Sequence, residues 1–379
     1  MPAAQARRDD GRRLMGFRCG IVGLPNVGKS TLFNALTATA TAEAANYPFS
    51  TVEPNLGRIA VPDLRLGEIA RIASSAKITP TQLDFVDIAG LVQGASRGEG
   101  LGNRFLSHIR EVEAIALVLR CFEGGQVPHT GAIDPIGDAE TVEMELMLAD
   151  LDSLERRMEP LIKKVRGGDK AAAAMQNMCE RAFAVLRDGR PAREVAHAPD
   201  EAGLFRQMQL LSAKPVMYIC NVDEDSAALG NEHSARLIEW ASANGTPAVV
   251  IAAAIEAEIA QFADEAEKRE FLETLGLAES GLARVIRTGY ELLNLIIYFT
   301  AGETETRAWT IPADTRAQDA AGKIHSDFAR GFICAETIAY DDYLTCNGEL
   351  GAKEAAKMRK EGREYIVKDG DIILFRFNV

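Results

Sequence analysis

The run Gly23-Leu24-Pro25-Asn26-Val27-Gly28-Lys29-Ser30 has the spacing G-x-x-x-x-G-K-[ST], a pattern built to grip phosphate. Its glycines let the backbone fold tightly, so that several N–H groups converge on phosphate oxygens at a helix N-terminus. Lys29 would bring positive charge to the β- and γ-phosphates, and the Ser30 hydroxyl would ligate Mg²⁺. Asp87-Ile88-Ala89-Gly90 follows at the distance expected of a Walker B-type acid. Asp87 would then hold Mg²⁺ through water, and Gly90 would sense the γ-phosphate. Thr51, in the loop from Asn46, is either a switch residue that ligates Mg²⁺ beside the γ-phosphate or a plain hydroxyl in a Pro-containing turn. The Gly-rich run from Gly94 to Gly102 suits a loop ordered by nucleotide and released on hydrolysis.

The base-reading element departs from the guanine pattern. A GTPase of this architecture carries N-K-x-D after a strand, its Asp accepting two hydrogen bonds from guanine. Here the sequence reads Asn221-Val222-Asp223-Glu224. The Lys has become Val222, and the acid is one methylene longer. Asp223 is one residue out of phase. The guanine clamp should be impaired, and adenine would be read by backbone groups at Val222. Catalysis is less plain. In Ras-like enzymes a Gln directly after DxxG orients the attacking water. That position is Leu91, so Gln93 or a group from elsewhere must act, or turnover is slow. His108 and His129 are the nearest titratable candidates in sequence, His129 in a Gly/Pro-rich loop, where it either reaches the γ-phosphate or is simply an exposed loop histidine.

These residues need a scaffold of alternating strands and helices. The segments 17–22, 83–88, 114–122, 215–220 and 247–252 read as short buried strands with helical patterns between them, which implies a mostly parallel α/β sheet. From about 138 to 193 no strand signal appears. The apolar spacing there predicts two antiparallel helices hinged at Gly167-Gly168, within an insertion of about 138–205. An interaction arm and a plain cover for the sheet are both compatible with it. From 294 to 379 the pattern changes to strands at 307–311 and 366–377 around a helix at 317–328, a small separate α+β domain.

Composition narrows the partners. The chain has 379 residues, with 42 Lys plus Arg against 55 Asp plus Glu, a formal net charge of −13. Indiscriminate polyanion binding is excluded on that charge, because it rests on basic residues releasing counterions. Local basic faces remain, notably Lys353, Lys357, Arg359, Lys360 and Arg363, although the domain 294–379 holds 11 basic against 14 acidic residues. No stretch approaches the length of a membrane-spanning helix. Six scattered cysteines without a CxxC pair argue for a reducing, cytoplasmic setting. Residues 1–16 read as a disordered leader, with a basic tail contacting RNA and a true start at Met15 as the alternatives.

Taken together, the phosphate loop, Asp87-Ile-Ala-Gly-Leu-Val with Gly94-Ala-Ser-Arg-Gly-Glu-Gly-Leu-Gly-Asn103, Asn221 to Glu224, and the closing Tyr365 to Asp371 and Phe375 to Val379 resemble the YchF family. This is the Obg-like ATPase branch of the translation-factor-related P-loop proteins, and the resemblance runs from Met15 to Val379. It implies an OBG-type P-loop nucleotide-binding domain over 17–293 and a TGS domain over 294–379. It implies a Mg²⁺-dependent hydrolase that prefers ATP to GTP, with weak intrinsic activity, and association with the ribosome, its large subunit included. RNA contact through the helical insertion or the TGS domain would follow. In such a protein Asn26, Val27, Gly28, Lys29, Ser30 and Thr31 would bind phosphates, Ser30 and Thr51 the Mg²⁺, and the Val222 backbone the adenine. His129 falls at the position of a loop histidine proposed to be catalytic in the family. The chain departs at Ala252-Ala253-Ala254, where members have S-A-K, and at Leu117 and Ser50, where members often have His and Cys. The rivals are a true GTPase and a nucleotide-gated binding module with negligible turnover.

Overall fold

The computed structural model describes residues 17–44, 56–88, 101–123, 132–262 and 264–378. By internal contacts the described residues form two units, one within 18–59 and 84–293, the other within 60–83 and 294–378.

The first unit carries a six-stranded sheet in the order Leu56–Ala60, Gln82–Asp87, Arg18–Val22, Ala114–Arg120, Val216–Asn221, Ala248–Ile251. The four pairings from Gln82–Asp87 to Ala248–Ile251 are all parallel. Strands buried on both faces read as unbroken apolar runs, which is why Ala114–Arg120, with six of its seven residues buried, was visible in the sequence. Arg18–Val22 lies near the centre, with Ile21 level with Asp87 on one side and Val22 level with Leu117 on the other. That register sets the phosphate loop, which leaves the strand at Gly23, beside the end of the strand bearing Asp87.

The helical insertion consists of Pro135–Arg166 and Lys170–Arg187, joined through Gly167 and Gly168, followed by short turns and a helix at Ala202–Gln207. Gly168 has φ +85°, a left-handed value that costs a glycine little and closes the turn. Asp169 caps the second helix by accepting from the N–H groups of Ala171 and Ala172. The pair has its own core of Met147, Leu154, Met178, Cys179, Ala182 and Leu186. Its root is tied to the sheet by a buried carboxylate. Asp150 accepts from Leu211 N (2.7 Å), Ser212 N (2.8 Å) and Ser212 Oγ (2.7 Å), just upstream of Val216–Asn221.

The second unit holds a mixed sheet in the order Arg359–Glu361, Phe332–Ile338, Ile372–Phe377, Leu295–Thr300, Thr306–Pro312, Ile78–Thr79. The last strand comes from the excursion 60–83 and pairs in parallel with Thr306–Pro312. Helix Leu64–Ile72, from the same excursion, packs on that strand, and its Arg65 guanidinium lies 5.3 Å from the Phe299 ring centroid. Two expectations are corrected here. The run 366–377 is a strand only from Ile372. Ile366 makes an isolated bridge to Arg316, and Asp371, accepting from Lys368 N, holds the turn between. The helix expected over 317–328 is two, Ala317–Ile324 and Ser326–Arg330, broken where His325 turns extended and caps the second by accepting from Asp327 N.

Candidate functional site

The phosphate loop turns on two close approaches. Gly28 has φ +87°, and a Cβ there would lie 2.1 Å from Asn221 Nδ2. A Cβ on Gly23 would lie 2.9 Å from the Val118 carbonyl oxygen. Asn26 is also left-handed, at φ 65°, a conformation that Asn tolerates better than most side chains. The loop then enters helix Lys29–Ala44, whose first N–H groups point back into it. Ser30 and Thr31 are exposed at that first turn, while Val27 is buried beneath it. Lys29 Nζ forms an ion pair with Asp87 Oδ1, both side chains largely buried. A site for a triphosphate needs such a cation, and this one is held by the acid expected to serve the metal.

Asn221 is the buried joint of the site. Its Nδ2 donates to the Val27 carbonyl (2.9 Å), and its Oδ1 accepts from Ala253 N (3.0 Å). One side chain thus fixes the phosphate loop and the start of helix Ala253–Ile259 to the end of strand Val216–Asn221. Helix Ala253–Ile259 is fixed from behind by Glu256, which is buried and accepts from Gly281 N (2.7 Å) and Leu282 N (3.3 Å). Burial pushes the Glu256 carboxyl above its ordinary range, against those two hydrogen bonds, which lower it.

Around this joint lies a cavity of about 400 Å³ lined by Gly28, Thr31, Phe122, Asn221, Val222, Glu224, Ala253 and Ala254 with Asp223 and Asp225. That volume falls in the range of small-molecule pockets. It sits past the carboxyl ends of parallel strands, where ligands bind in open α/β sheets. The Val222 N–H donates to the Ile251 carbonyl (2.9 Å), so of its two backbone groups the carbonyl is the one without such a commitment among the described residues. A carbonyl matches the C6 amine of adenine and opposes the O6 of guanine. Glu224 begins a short turn, Glu224–Ser226, and is exposed.

Of the residues expected from sequence, the cavity brings together Gly28, Thr31, Asn221, Val222 and Glu224, with Lys29, Ser30 and Asp87 in the adjoining loop and strand end. Thr51, Gly90 and His129 lie outside the described residues, as do Leu91, Gln93 and Ser50. His108 is exposed in the last turn of helix Leu101–Arg110 and does not line the cavity. Phe122 was missed. It lies two residues past strand Ala114–Arg120, and that position after a parallel strand was the available signal.

The chain is similar along nearly its whole length to curated proteins named "Ribosome-binding ATPase YchF". It is 54% identical to that of Haemophilus influenzae over 366 residues, covering 96% of this chain and 100% of the relative. The chain belongs to the YchF family. The YchF proteins of Escherichia coli O157:H7 and Bacillus subtilis are 53% and 50% identical to it, each with the same coverage. The structure of the Schizosaccharomyces pombe YchF GTPase superposes with a TM-score of 0.87 at 36% identity, covering 96% of this chain and 98% of that one. A family model described as a 50S ribosome-binding GTPase matches residues 18–159. The YchF C-terminal model, described as a protein of unknown function, matches 295–378. The YchF match therefore spans both units.

Proposed function

We propose that this chain is a Mg²⁺-dependent ATPase that associates with the ribosome, large subunit included, and works in the cytoplasm. The observation that carries the ATP reading is the base end of the cavity. Lys is replaced by Val222, whose N–H is spent on Ile251, and the acid Glu224 stands exposed on a short turn. A guanine clamp needs a fixed carboxylate, whereas adenine needs an acceptor for its amine. The curated relatives are named ribosome-binding ATPases, which supports both the reaction and the partner.

In this reading the loop from Asn26 to Thr31 binds the phosphates, and Lys29 exchanges its Asp87 partner for phosphate oxygens. Ser30 and Asp87 offer hard oxygen donors of the kind Mg²⁺ selects, and Thr51 would join them. Bound Mg²⁺ would supply charge neutralisation on the β- and γ-phosphate oxygens. Gly90 would report the γ-phosphate through its N–H, and Val222 would fix the adenine. With Leu91 in the place of the usual Gln, His129 is assigned the attacking water, which it would orient by hydrogen bonding. Loss of the γ-phosphate would release the loops around Thr51 and Gly90.

The test is a set of dissociation constants for ATP and GTP, with multiple-turnover phosphate release, for wild type and His129→Ala. ATP is expected to bind more tightly, and His129→Ala to lower turnover about a hundredfold with little change in affinity. Tighter GTP binding would overturn the base reading. Wild-type turnover in His129→Ala would remove that residue from the mechanism, and no turnover in wild type would leave a nucleotide-gated binding module.

A further inference from the structure

The helical insertion separates its charges along its length. Residues 138–155, at its root, hold seven acidic residues and no basic one. Residues 156–170, leading to the turn, hold six basic and two acidic. One of those two, Asp169, is committed to capping the second helix. The other, Glu159, pairs with Lys163 across one helical turn, with both side chains more than 70% exposed, where such a pair is worth little. Lys164, Arg166 and Lys170 are exposed and have no ion-pair partner among the described residues.

Distance decides which charge a partner would feel. Some twenty residues of helix separate the middle of the acidic run from the turn, about 30 Å at 1.5 Å per residue. Screening in physiological salt acts over about 8 Å, so the acidic root does not cancel the field at the tip. The basic stretch of the C-terminal unit behaves differently. Lys357 pairs with Asp342 (3.1 Å), Arg359 lies near Glu361 and Asp371, and Lys360 lies 3.8 Å from Glu336. Three of the five cations in that stretch therefore have acidic neighbours within their own fold, against one of the four at the hairpin tip.

We infer that the tip of the helical hairpin, through Lys163, Lys164, Arg166 and Lys170, docks on the phosphate backbone of RNA. The inference rests on the ribosome association proposed above and names the surface that makes it. The tip carries no aromatic residue and one exposed apolar side chain, Ile162, so it lacks the anchor typical of a protein–protein contact. The N–H groups of Gly167, Gly168 and Asp169 are spent on Lys164 and Val165 carbonyls, which leaves recognition to flexible cationic side chains. Such contacts grip phosphates without reading sequence. The hairpin core, from Met147 to Leu186, packs its two helices together beneath the tip.

The test uses the full chain, purified ribosomes and ATP with Mg²⁺, with affinity measured between 50 and 200 mM KCl and hydroxyl-radical footprinting of the ribosomal RNA. Lys163→Gln, Lys164→Gln, Arg166→Gln and Lys170→Gln are combined in one variant, and Lys353→Gln, Lys357→Gln and Lys360→Gln in a second. The tip variant should bind at least tenfold more weakly at 50 mM. The slope of log affinity against log salt should fall by about three. A patch of RNA protection should disappear, while ATP turnover without ribosomes and melting temperature stay unchanged. The second variant should keep wild-type slope and protection. Unchanged affinity and slope in the tip variant would overturn the inference while leaving the ribosome association intact. Weaker binding with unaltered RNA protection would assign the tip to a ribosomal protein and overturn it too. A wild-type chain that does not bind ribosomes would overturn the association itself, and the inference with it.

Discussion

At the scale of single residues, the site depends on two atoms that leave each other no room. Gly28 and Asn221 interlock so tightly that a methyl group on the first displaces the amide of the second. Gly28→Ala should therefore lose more than the usual cost of a left-handed alanine, about 1 kcal/mol. Its ATP affinity should fall at least tenfold, measured by titration with a fluorescent analogue. Asn221→Ala leaves the Val27 carbonyl and the Ala253 N–H without their buried partner. It should destabilise the fold by about 1–3 kcal/mol in urea and weaken ATP and GTP alike, because it acts on the frame of the cavity rather than on the base. Both substitutions follow from residues whose type was readable in the sequence. Their mutual contact was not, since it joins positions far apart in the chain and only the sheet register brings them together.

At the scale of elements, what was legible had a local cause. Five of the six strands of the first sheet stood out because burial on both faces leaves little polar alternation, and the hairpin because Gly167-Gly168 interrupts two helical patterns. Elsewhere strand Leu295–Thr300 was missed although a domain boundary was drawn at 293/294, because the stretch 290–299, with only Glu291 and Asn294 polar, shows no break in its pattern. Helix Gly281–Leu292 ends inside it and strand Leu295–Thr300 begins, with Asn294 left-handed between them at φ 51°. The strands Leu56–Ala60 and Phe332–Ile338 were missed because mixed polar and apolar residues gave them no clean period. The anchor of the hairpin was also hidden, since a single acid among seven does not announce that it is buried. Asp150 is fully buried, and burial raises its carboxyl above the ordinary range although three hydrogen bonds pull the other way. The folded protein then holds that proton more tightly than the unfolded chain. The contribution of Asp150 is fullest below its unfolded value of about 3.9 and is lost as pH rises through the folded one. Against Asp150→Asn, which does not titrate, wild type should gain relative stability as pH falls from 7 toward 4. Denaturant titrations across that range check the sign, and a gap that narrows in acid would contradict it.

At the scale of the whole molecule, ligand and fold are linked. ATP with Mg²⁺ at a hundred times its dissociation constant should stabilise the chain by about 2.7 kcal/mol, seen as a rise of a few degrees in melting temperature. Lys29→Ala, which removes the cation of the phosphate loop, should abolish that rise. The division of the chain into units has a further result. Helix Leu64–Ile72 buries Leu66, Ile69 and Ala70, and Ser75, Ala76 and Lys77 are bonded to residues 302–306. Strand Ile78–Thr79 has its neighbour at 306–307. A chain shortened to residues 1–293 should therefore expose an apolar helix and an orphan strand, and it should sediment as aggregate where the full chain stays in solution. The same holds for every copy as it is made. The segment 60–83 leaves the exit tunnel early and waits through more than two hundred further residues for the strands it belongs to, so the growing chain passes most of its synthesis with that stretch in need of shelter.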